Sequence, residues 1–155
     1  MEKRDLWLRE DDNQLSAECV LEFFKGSGSG GQKRNKTSSA VRVRHLPSGL
    51  TAEDCSERSQ HLNRRNALNK LRFKIAFNFR CAPSELIRPE VAMTHADYPL
   101  WCAVLLDHLA EKDWAPAGAA KSLGFTSSKL VKYLYRDPAL WQFVNSKRRI
   151  PLKTP

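Results

Sequence analysis

The sequence contains no long hydrophobic run. The apolar run that includes residues 102–106 is far shorter than the roughly 20 residues that a bilayer-spanning helix needs. Residues 1–16 are polar and of mixed charge, without the apolar core of a signal peptide or the acid-poor composition of an organelle transit peptide. We therefore expect a cytoplasmic protein that does not associate with membranes.

Cysteine is scarce and is not arranged for metal binding. The four cysteines form no Cys-x-x-Cys pair, and no histidine lies at zinc-finger spacing from them. We expect four reduced thiols, with no metal and no cofactor. The sequence leaves open whether Cys19 and Cys55 are neighbours on adjacent strands.

Acidic residues are scarce in one segment. Residues 33–80 contain twelve Lys or Arg and three acids, whereas the rest of the chain has fourteen of each. The whole net charge of +9 therefore comes from this segment. Charged surfaces usually mix both signs, and an excess this one-sided is typical of proteins that bind a polyanion such as nucleic-acid phosphate.

The first half of the chain predicts an α+β fold. Residues 17–24 are rich in apolar and aromatic side chains, and residues 39–46 alternate between apolar and basic, as in half-buried strands. The turn residues Pro47-Ser48-Gly49 lead to a partner strand over 50–55. Apolar residues then recur at helical spacing over 58–79. We predict a small antiparallel β-sheet packed by a long helix, followed by a small C-terminal helical segment.

The second half predicts short helices. The predicted domains are a first domain over 1–82, a connector over 83–97, a helical segment over 98–149 and a basic tail over 150–155. One apolar face is expected on the helix that begins near Tyr98, and the next helix is expected to end at Gly124. Ser127 or Ser128 is expected to cap the third helix, and Pro138 to lie in the first turn of a fourth.

These helices have two interpretations. Gly124 stands between two helical stretches, as in a helix-turn-helix unit, and a plain small helical bundle fits the same spacing. The helix-turn-helix interpretation would place Ser127, Ser128, Lys129 and Lys132 against nucleic acid.

A glycine-rich stretch precedes the basic segment. A flexible linker would continue with Ser, Gly or Pro, but Gly30-Gly31-Gln32 is followed at once by Lys33-Arg34-Asn35-Lys36. The Gly-Lys-Ser/Thr of a Walker loop is absent, and so is the strand–loop–helix spacing of a dinucleotide site. Neither common phosphate-binding motif therefore explains the stretch.

The stretch and the residues around it carry a specific resemblance. The anchors are Gly26-Ser27-Gly28-Ser29-Gly30-Gly31-Gln32, Asn35-Lys36-Thr37, Ser39-Ala40-Val41-Arg42, His45, Pro47-Ser48-Gly49 and Arg58-Ser59-Gln60-His61-x-Asn63-Arg64. This string, from about Cys19 to about Leu71, resembles the catalytic domain of class I peptide-chain release factors. Ser29 stands where this family usually has Pro, and Arg34 where decoding release factors usually have an aliphatic residue.

The resemblance implies a site without an acidic or histidine base. Gln32 would supply a backbone N–H to the reacting ester and shape the pocket for water, and Gly30 and Gly31 would allow the backbone to adopt the required angles. The candidate RNA-binding residues are Lys33, Arg34, Lys36, Arg42, Arg44, Arg58, Arg64 and Arg65. His45 and His61 match family positions and are expected to have hydrogen-bonded structural roles.

The resemblance also implies partners and a reaction. A monomer that enters the ribosomal A site would contact ribosomal RNA and hydrolyse P-site peptidyl-tRNA. Neither tripeptide with which decoding factors read stop codons, Pro-x-Thr or Ser-Pro-Phe, occurs in the sequence, and 155 residues leave no room for a decoding domain. The expectation is codon-independent ribosome rescue. The alternatives are a non-hydrolytic RNA- or ribosome-binding protein and, less favoured, a DNA-binding regulator that uses the C-terminal helices.

Overall fold

The computed structural model describes residues 3–25, 39–86 and 88–155. The chain divides into two compact units, Met1–Ile75 (unit 1) and Ala76–Pro155 (unit 2). Unit 1 has an α+β fold and unit 2 is helical, so the predicted fold class is confirmed.

Unit 1 is built on a three-stranded antiparallel sheet. Its strands are β1 (Cys19–Phe24), β2 (Ala40–His45) and β3 (Thr51–Asp54), in the order β1-β2-β3. The predicted hairpin joins β2 to β3, and Gly49 in its turn has a φ of +72°, which favours glycine. Because β2 lies between the other two strands, Cys19 and Cys55 are not neighbours on adjacent strands.

The central strand separates a buried face from an exposed one. Val41, Val43 and His45 are buried, whereas Arg42 and Arg44 between them are exposed. The long helix α3 (Gln60–Asn78) contributes Ala67, Leu68, Leu71 and Ile75 to the core of unit 1. These apolar residues recur every three or four positions, and the resulting stripe holds the helix on the protein interior.

Two short helices precede the sheet, at the polar start of the sequence. They are α1 (Lys3–Arg9) and α2 (Asp12–Ala17). The Asp11 carboxylate accepts hydrogen bonds from the first turn of α2, and the Gln14 side chain accepts one from the Asp11 amide. This reciprocal cap satisfies amides that a helix of six residues otherwise leaves unpaired.

Unit 2 contains four helices. They are α4 (Tyr98–Glu111), α5 (Pro116–Ser122), α6 (Ser127–Arg136) and α7 (Pro138–Ser146). The sequence predicted one apolar face on α4, but every residue from Tyr98 to Leu109 is buried. Helix α4 is therefore covered on all sides over this stretch and not on one face alone. Among the described helices, none combines the length and apolarity that a bilayer crossing requires.

The helix ends of unit 2 follow the predictions with one correction. Gly124 has a φ of +72° just beyond α5, as a glycine that ends a helix does, and Pro138 begins α7. The cap of α6 is Thr126, not Ser127 or Ser128, because the Thr126 hydroxyl accepts the Lys129 amide at 3.2 Å. Three consecutive hydroxyl residues all suit a cap, and only the backbone conformation selects among them.

Candidate functional site

The segment that carries the predicted chemistry leaves and re-enters the sheet at the same end. Gly30, Gly31, Gln32, Lys33, Arg34 and Lys36 lie outside the described residues. On either side of them, Phe24 at the end of β1 pairs with Ala40 at the start of β2. The strand register thus brings the two stems of the Gly-Gly-Gln segment next to each other.

A buried asparagine holds one of these stems. Asn63, in the first turn of α3, is completely buried. Its side-chain nitrogen donates to the Ser39 carbonyl at 2.7 Å and to the Glu57 carbonyl at 2.9 Å, and its side-chain oxygen accepts the Glu57 amide at 2.9 Å. One side chain therefore ties together the helix, the start of β2 and the turn after β3.

A buried carboxylate organises the same turn. Asp54 accepts hydrogen bonds from the Ser56 amide and hydroxyl, and the Lys70 ammonium lies 2.7 Å from its second oxygen. Burial by itself raises the pKa of Asp54, but the bonds from Lys70 and Ser56 outweigh it and lower the pKa to about 2. The ionised carboxylate fixes the start of the turn that presents Arg58.

Arg42, one of the predicted RNA-binding residues, is already neutralised within the sheet. It lies on the exposed face, where its guanidinium contacts Glu53 at 3.1 Å on one side and Glu22 at 3.3 Å on the other. The hydrogen bond and charge of Glu53, followed by those of Glu22, raise the pKa of Arg42. The guanidinium also lies 5.1 Å from the centre of the Phe24 ring. Arg42 thus joins all three strands on the solvent side.

Arg64 is also engaged inside unit 1. Its guanidinium donates to the Ser16 hydroxyl at 2.7 Å. Two turns further along α3, Arg72 donates to the Asp12 carboxylate at 2.7 Å and to the Glu10 carbonyl at 2.8 Å. These two arginines attach the α2 region to α3, so their first role is structural.

Three further predicted cations lie among the described residues and are free to bind an anion. Arg44, Arg58 and Arg65 are exposed. Within the described ranges, no acidic group forms an ion pair with any of them. Arg44 stands on the exposed face of β2, Arg58 in the turn before α3, and Arg65 near the start of α3. These three are the described cations best suited to contact phosphate.

The two histidines of the motif differ. His45 is buried, with its ring nitrogens 2.7 Å from the Ser48 hydroxyl and 3.2 Å from Glu18, and Trp7 packs edge-on against its ring. The predicted hydrogen-bonded structural role is confirmed for His45. His61 is exposed on α3, and its predicted role stays a prediction.

The described part of the chain gives little support for a cysteine nucleophile or a metal site. Burial, followed by the charges of Glu18 and Glu10, raises the pKa of the Cys19 thiol to about 11, so it is not an activated nucleophile. All four cysteines are free thiols. Over residues 3–25, 39–86 and 88–155, no three His, Cys, Asp or Glu side chains cluster as a metal site would require.

Sequence reasoning assigned no role to Asn63 or Asp54, although each carried a signal. Asn63 continues the buried stripe of α3, since Ala67, Leu71 and Ile75 follow it at intervals of four. Asp54 lies on the same strand face as buried Ala52. A polar residue on an apolar face is buried with partners, and both positions therefore indicated structural hydrogen bonds.

Comparison with known proteins gives a family and one relative. Residues 12–90, about half of the chain, match the RF-1 domain family. The chain is also 46% identical over 59 residues to peptide chain release factor 1 of Xylella fastidiosa (strain 9a5c). That match covers 38% of this chain and 16% of the relative, so the similarity is confined to a small part of the longer protein.

Proposed function

The chain belongs to the RF-1 domain family, and on that premise we propose that it hydrolyses peptidyl-tRNA on the ribosome without reading a codon. The observation that carries the proposal is the position of Gly30-Gly31-Gln32. These residues lie inside the matched range, between two strand ends that the sheet pairs, and Asn63 anchors the second of these ends.

The proposed chemistry depends on positioning rather than on a titrating base. No Asp, Glu or His lies between Lys25 and Val43. Hydrolysis of an ester needs a water held against the carbonyl carbon and a donor directed at the oxygen on which negative charge develops. In our proposal the backbone N–H of Gln32 is that donor, and the Gln32 side chain shapes the space for water. Gly30 and Gly31 give the backbone the freedom to approach the substrate.

The cations around the segment would hold RNA. Lys33, Arg34 and Lys36 follow Gln32 directly, and we assign them to phosphates of ribosomal RNA or tRNA. Arg44, Arg58 and Arg65 extend this role, because they are exposed and lack an acidic partner among the described residues. Arg42 and Arg64 are assigned a smaller share, since Glu22, Glu53 and Ser16 already occupy their guanidinium groups.

Codon independence is proposed from the absence of a reading motif. Neither Pro-x-Thr nor Ser-Pro-Phe occurs in the 155 residues. We therefore propose action on ribosomes whose A site holds a sense codon or no codon at all. Ribosome rescue is therefore the setting that we propose, with the protein acting as a monomer in the cytoplasm.

Peptide release from purified ribosomes tests the proposal. Ribosomes with labelled peptidyl-tRNA in the P site would be prepared with a stop codon, a sense codon or truncated mRNA in the A site. We expect release on truncated mRNA, and a rate on the order of a hundredfold lower for Gln32→Ala, which keeps the backbone N–H but removes the side chain that positions the water. Gln142→Ala, an exposed glutamine of α7, is the matched control and should release at the wild-type rate.

Two results would contradict parts of the proposal. Equal release by wild type and Gln32→Ala would overturn the role assigned to the Gln32 side chain. Release only at stop codons would overturn codon independence.

A non-hydrolytic RNA-binding protein is the second candidate. The observation that favours it is that Arg44, Arg58 and Arg65 present unneutralised charge irrespective of what Gln32 does. Ribosome binding without release on any template would establish this alternative.

A further inference from the structure

The acidic and basic residues of the C-terminal half are separated along the chain. Residues 81–113 contain six acids and two bases, whereas residues 114–155 contain one acid and eight bases. The net charge of the two stretches together is only +3, and this average conceals a strongly basic stretch. The net charge of residues 81–155 therefore does not describe how charge is distributed on their surface.

The one acid of the basic stretch is buried. Asp137 is 6% exposed, and it caps α7 by accepting the amides of Ala139 and Leu140. Its other oxygen accepts the Tyr98 hydroxyl at 3.0 Å. Residues 114–155 thus expose basic side chains and no acidic side chain.

Two of the eight bases have internal partners. Arg136 contacts the Glu90 carboxylate at 2.8 Å and lies over the rings of Tyr98, Trp101 and Tyr133. Arg148 donates to backbone carbonyls. The other six are exposed and form no ion pair with the described residues: Lys121, Lys129, Lys132, Lys147, Arg149 and Lys153.

The middle helix of the stretch presents part of this charge together with an aromatic ring. Helix α6 packs against α5 and α7 and buries Leu130, Tyr133 and Leu134. Ser128, Lys132 and Tyr135 lie on the opposite side of the helix, and Tyr135 is 48% exposed. We call Ser128, Lys129, Lys132 and Tyr135 the α6 surface.

One lysine of the α6 surface is held in place. The Lys129 ammonium lies 5.3 Å from the centre of the Phe125 ring and 5.7 Å from that of Tyr133. These contacts restrict the side chain while they leave its charge unneutralised. A positioned cation loses less conformational entropy when it binds an anion than a freely moving lysine does.

We propose that the α6 surface binds the phosphate backbone of RNA. Lysines attract phosphate, the Ser128 hydroxyl is a donor of the kind that contacts backbone oxygens, and Tyr135 offers a ring for an unpaired base. The choice of RNA over other polyanions rests on the proposed ribosomal function. The surface itself is argued from its charge, its exposure and the absence of exposed acid in residues 114–155.

Binding of a labelled RNA duplex by the full chain tests this inference. Fluorescence anisotropy would be measured over a range of salt concentrations for wild type and for the double variant Lys129→Gln/Lys132→Gln. We expect the variant to lose about tenfold in affinity and the salt dependence, log Kd against log salt, to become shallower by about one for each lysine removed. Lys129→Arg/Lys132→Arg should keep the wild-type values.

The matched control removes two cations elsewhere in unit 2. Arg88→Gln/Lys112→Gln changes the net charge equally, but Lys112 pairs with Glu111 and neither residue lies on the α6 surface. We expect less than about a twofold change for this control. Equal affinity and equal salt dependence of the Lys129/Lys132 variant and the control would overturn the inference. Tighter binding to a DNA duplex of the same sequence would overturn the assignment to RNA.

The measurement is independent of catalysis. Absence of peptide release in the wild type would reject the proposed hydrolysis while the anisotropy still decides whether the α6 surface binds RNA.

Discussion

The two units of the chain use charge in opposite ways. In unit 1, several basic side chains hold the fold together: Arg64 and Arg72 attach α2 to α3, Lys70 pairs with Asp54, and Arg42 joins three strands. In unit 2, an apolar core surrounds α4, and most lysines stay at the surface without an acidic partner among the described residues. The net charge of residues 33–80 therefore overstates their free charge, because Glu22 and Asp12 outside this range pair with Arg42 and Arg72. The net charge of +3 over residues 81–155 conceals the basic stretch 114–155.

The largest effect should come from the apolar core of unit 2. Leu105 is completely buried in α4. Leu105→Ala removes packed side-chain volume and should lower the free energy of unfolding by about 3–4 kcal/mol. Urea denaturation followed by circular dichroism measures it, and Leu152→Ala in the partly exposed C-terminal stretch is the control. A loss below about 1 kcal/mol would contradict the central position of α4.

A somewhat smaller effect should come from a polar residue of unit 1. Asn63→Ala leaves the Ser39 and Glu57 carbonyls without their donor and should destabilise unit 1 by about 2–3 kcal/mol. Asn66→Ala, three residues further along α3, removes one long contact to Asp54 and should cost less than about 1 kcal/mol.

The same pair of variants tests the stem of the Gly-Gly-Gln segment. At a temperature where both variants are folded, Asn63→Ala should lower the rate of peptide release and leave ribosome affinity near wild type. Matching release rates for Asn63→Ala and Asn66→Ala would show that peptide release does not depend on the hydrogen bond between Asn63 and the Ser39 carbonyl.

Acid should weaken unit 1 through Asp54. Its folded pKa of about 2 lies below the ordinary value of 3.8, so folding favours the ionised carboxylate. This contribution is fully present above about pH 4 and is lost as the pH falls toward 2, and it is on the order of 2 kcal/mol. Urea denaturation at pH 5 and at pH 2.5 measures it. The Asp54→Asn variant should lose less stability between these pH values than the wild type, and an identical loss would contradict the assignment.

The smallest effect separates free from neutralised arginines. Arg44→Gln/Arg58→Gln should weaken binding of an RNA duplex by about tenfold, or roughly 1.4 kcal/mol, and make the salt dependence shallower. Arg42→Gln should change the affinity by less than about twofold, because Glu22 and Glu53 already neutralise this guanidinium. A larger loss for Arg42→Gln than for the double variant would reverse the distinction between the two kinds of arginine.

The elements of unit 1 were largely predictable, because each depends on local pattern. Alternation marks β2, Pro47-Ser48-Gly49 marks the hairpin, and the spacing of Leu68, Leu71 and Ile75 marks α3. The burial of α4 on every side was not predictable. A short apolar run has the same pattern in a helix that is buried on one face and in a helix that is buried on all faces.

The sequence did not predict which cations pair within the fold and which are free to bind RNA. Arg64 and Ser16 are 48 positions apart, and Arg72 and Asp12 are 60 apart, so their pairing depends on tertiary structure that composition does not encode. The sequence identified which residues are basic and close to the Gly-Gly-Gln segment. Which of them have internal partners is a property of the fold.

The pairing of Phe24 with Ala40 has a consequence for how this chain can change. The ends of the intervening segment, residues 25–39, are held by the strand register and by Asn63, independently of what stands between them. Closing a loop costs free energy only logarithmically in its length, about 0.6 kcal/mol for each doubling. A change in the length of the chain between these two ends therefore adds little closure cost, and the strand pairs that hold the ends are the same for any length.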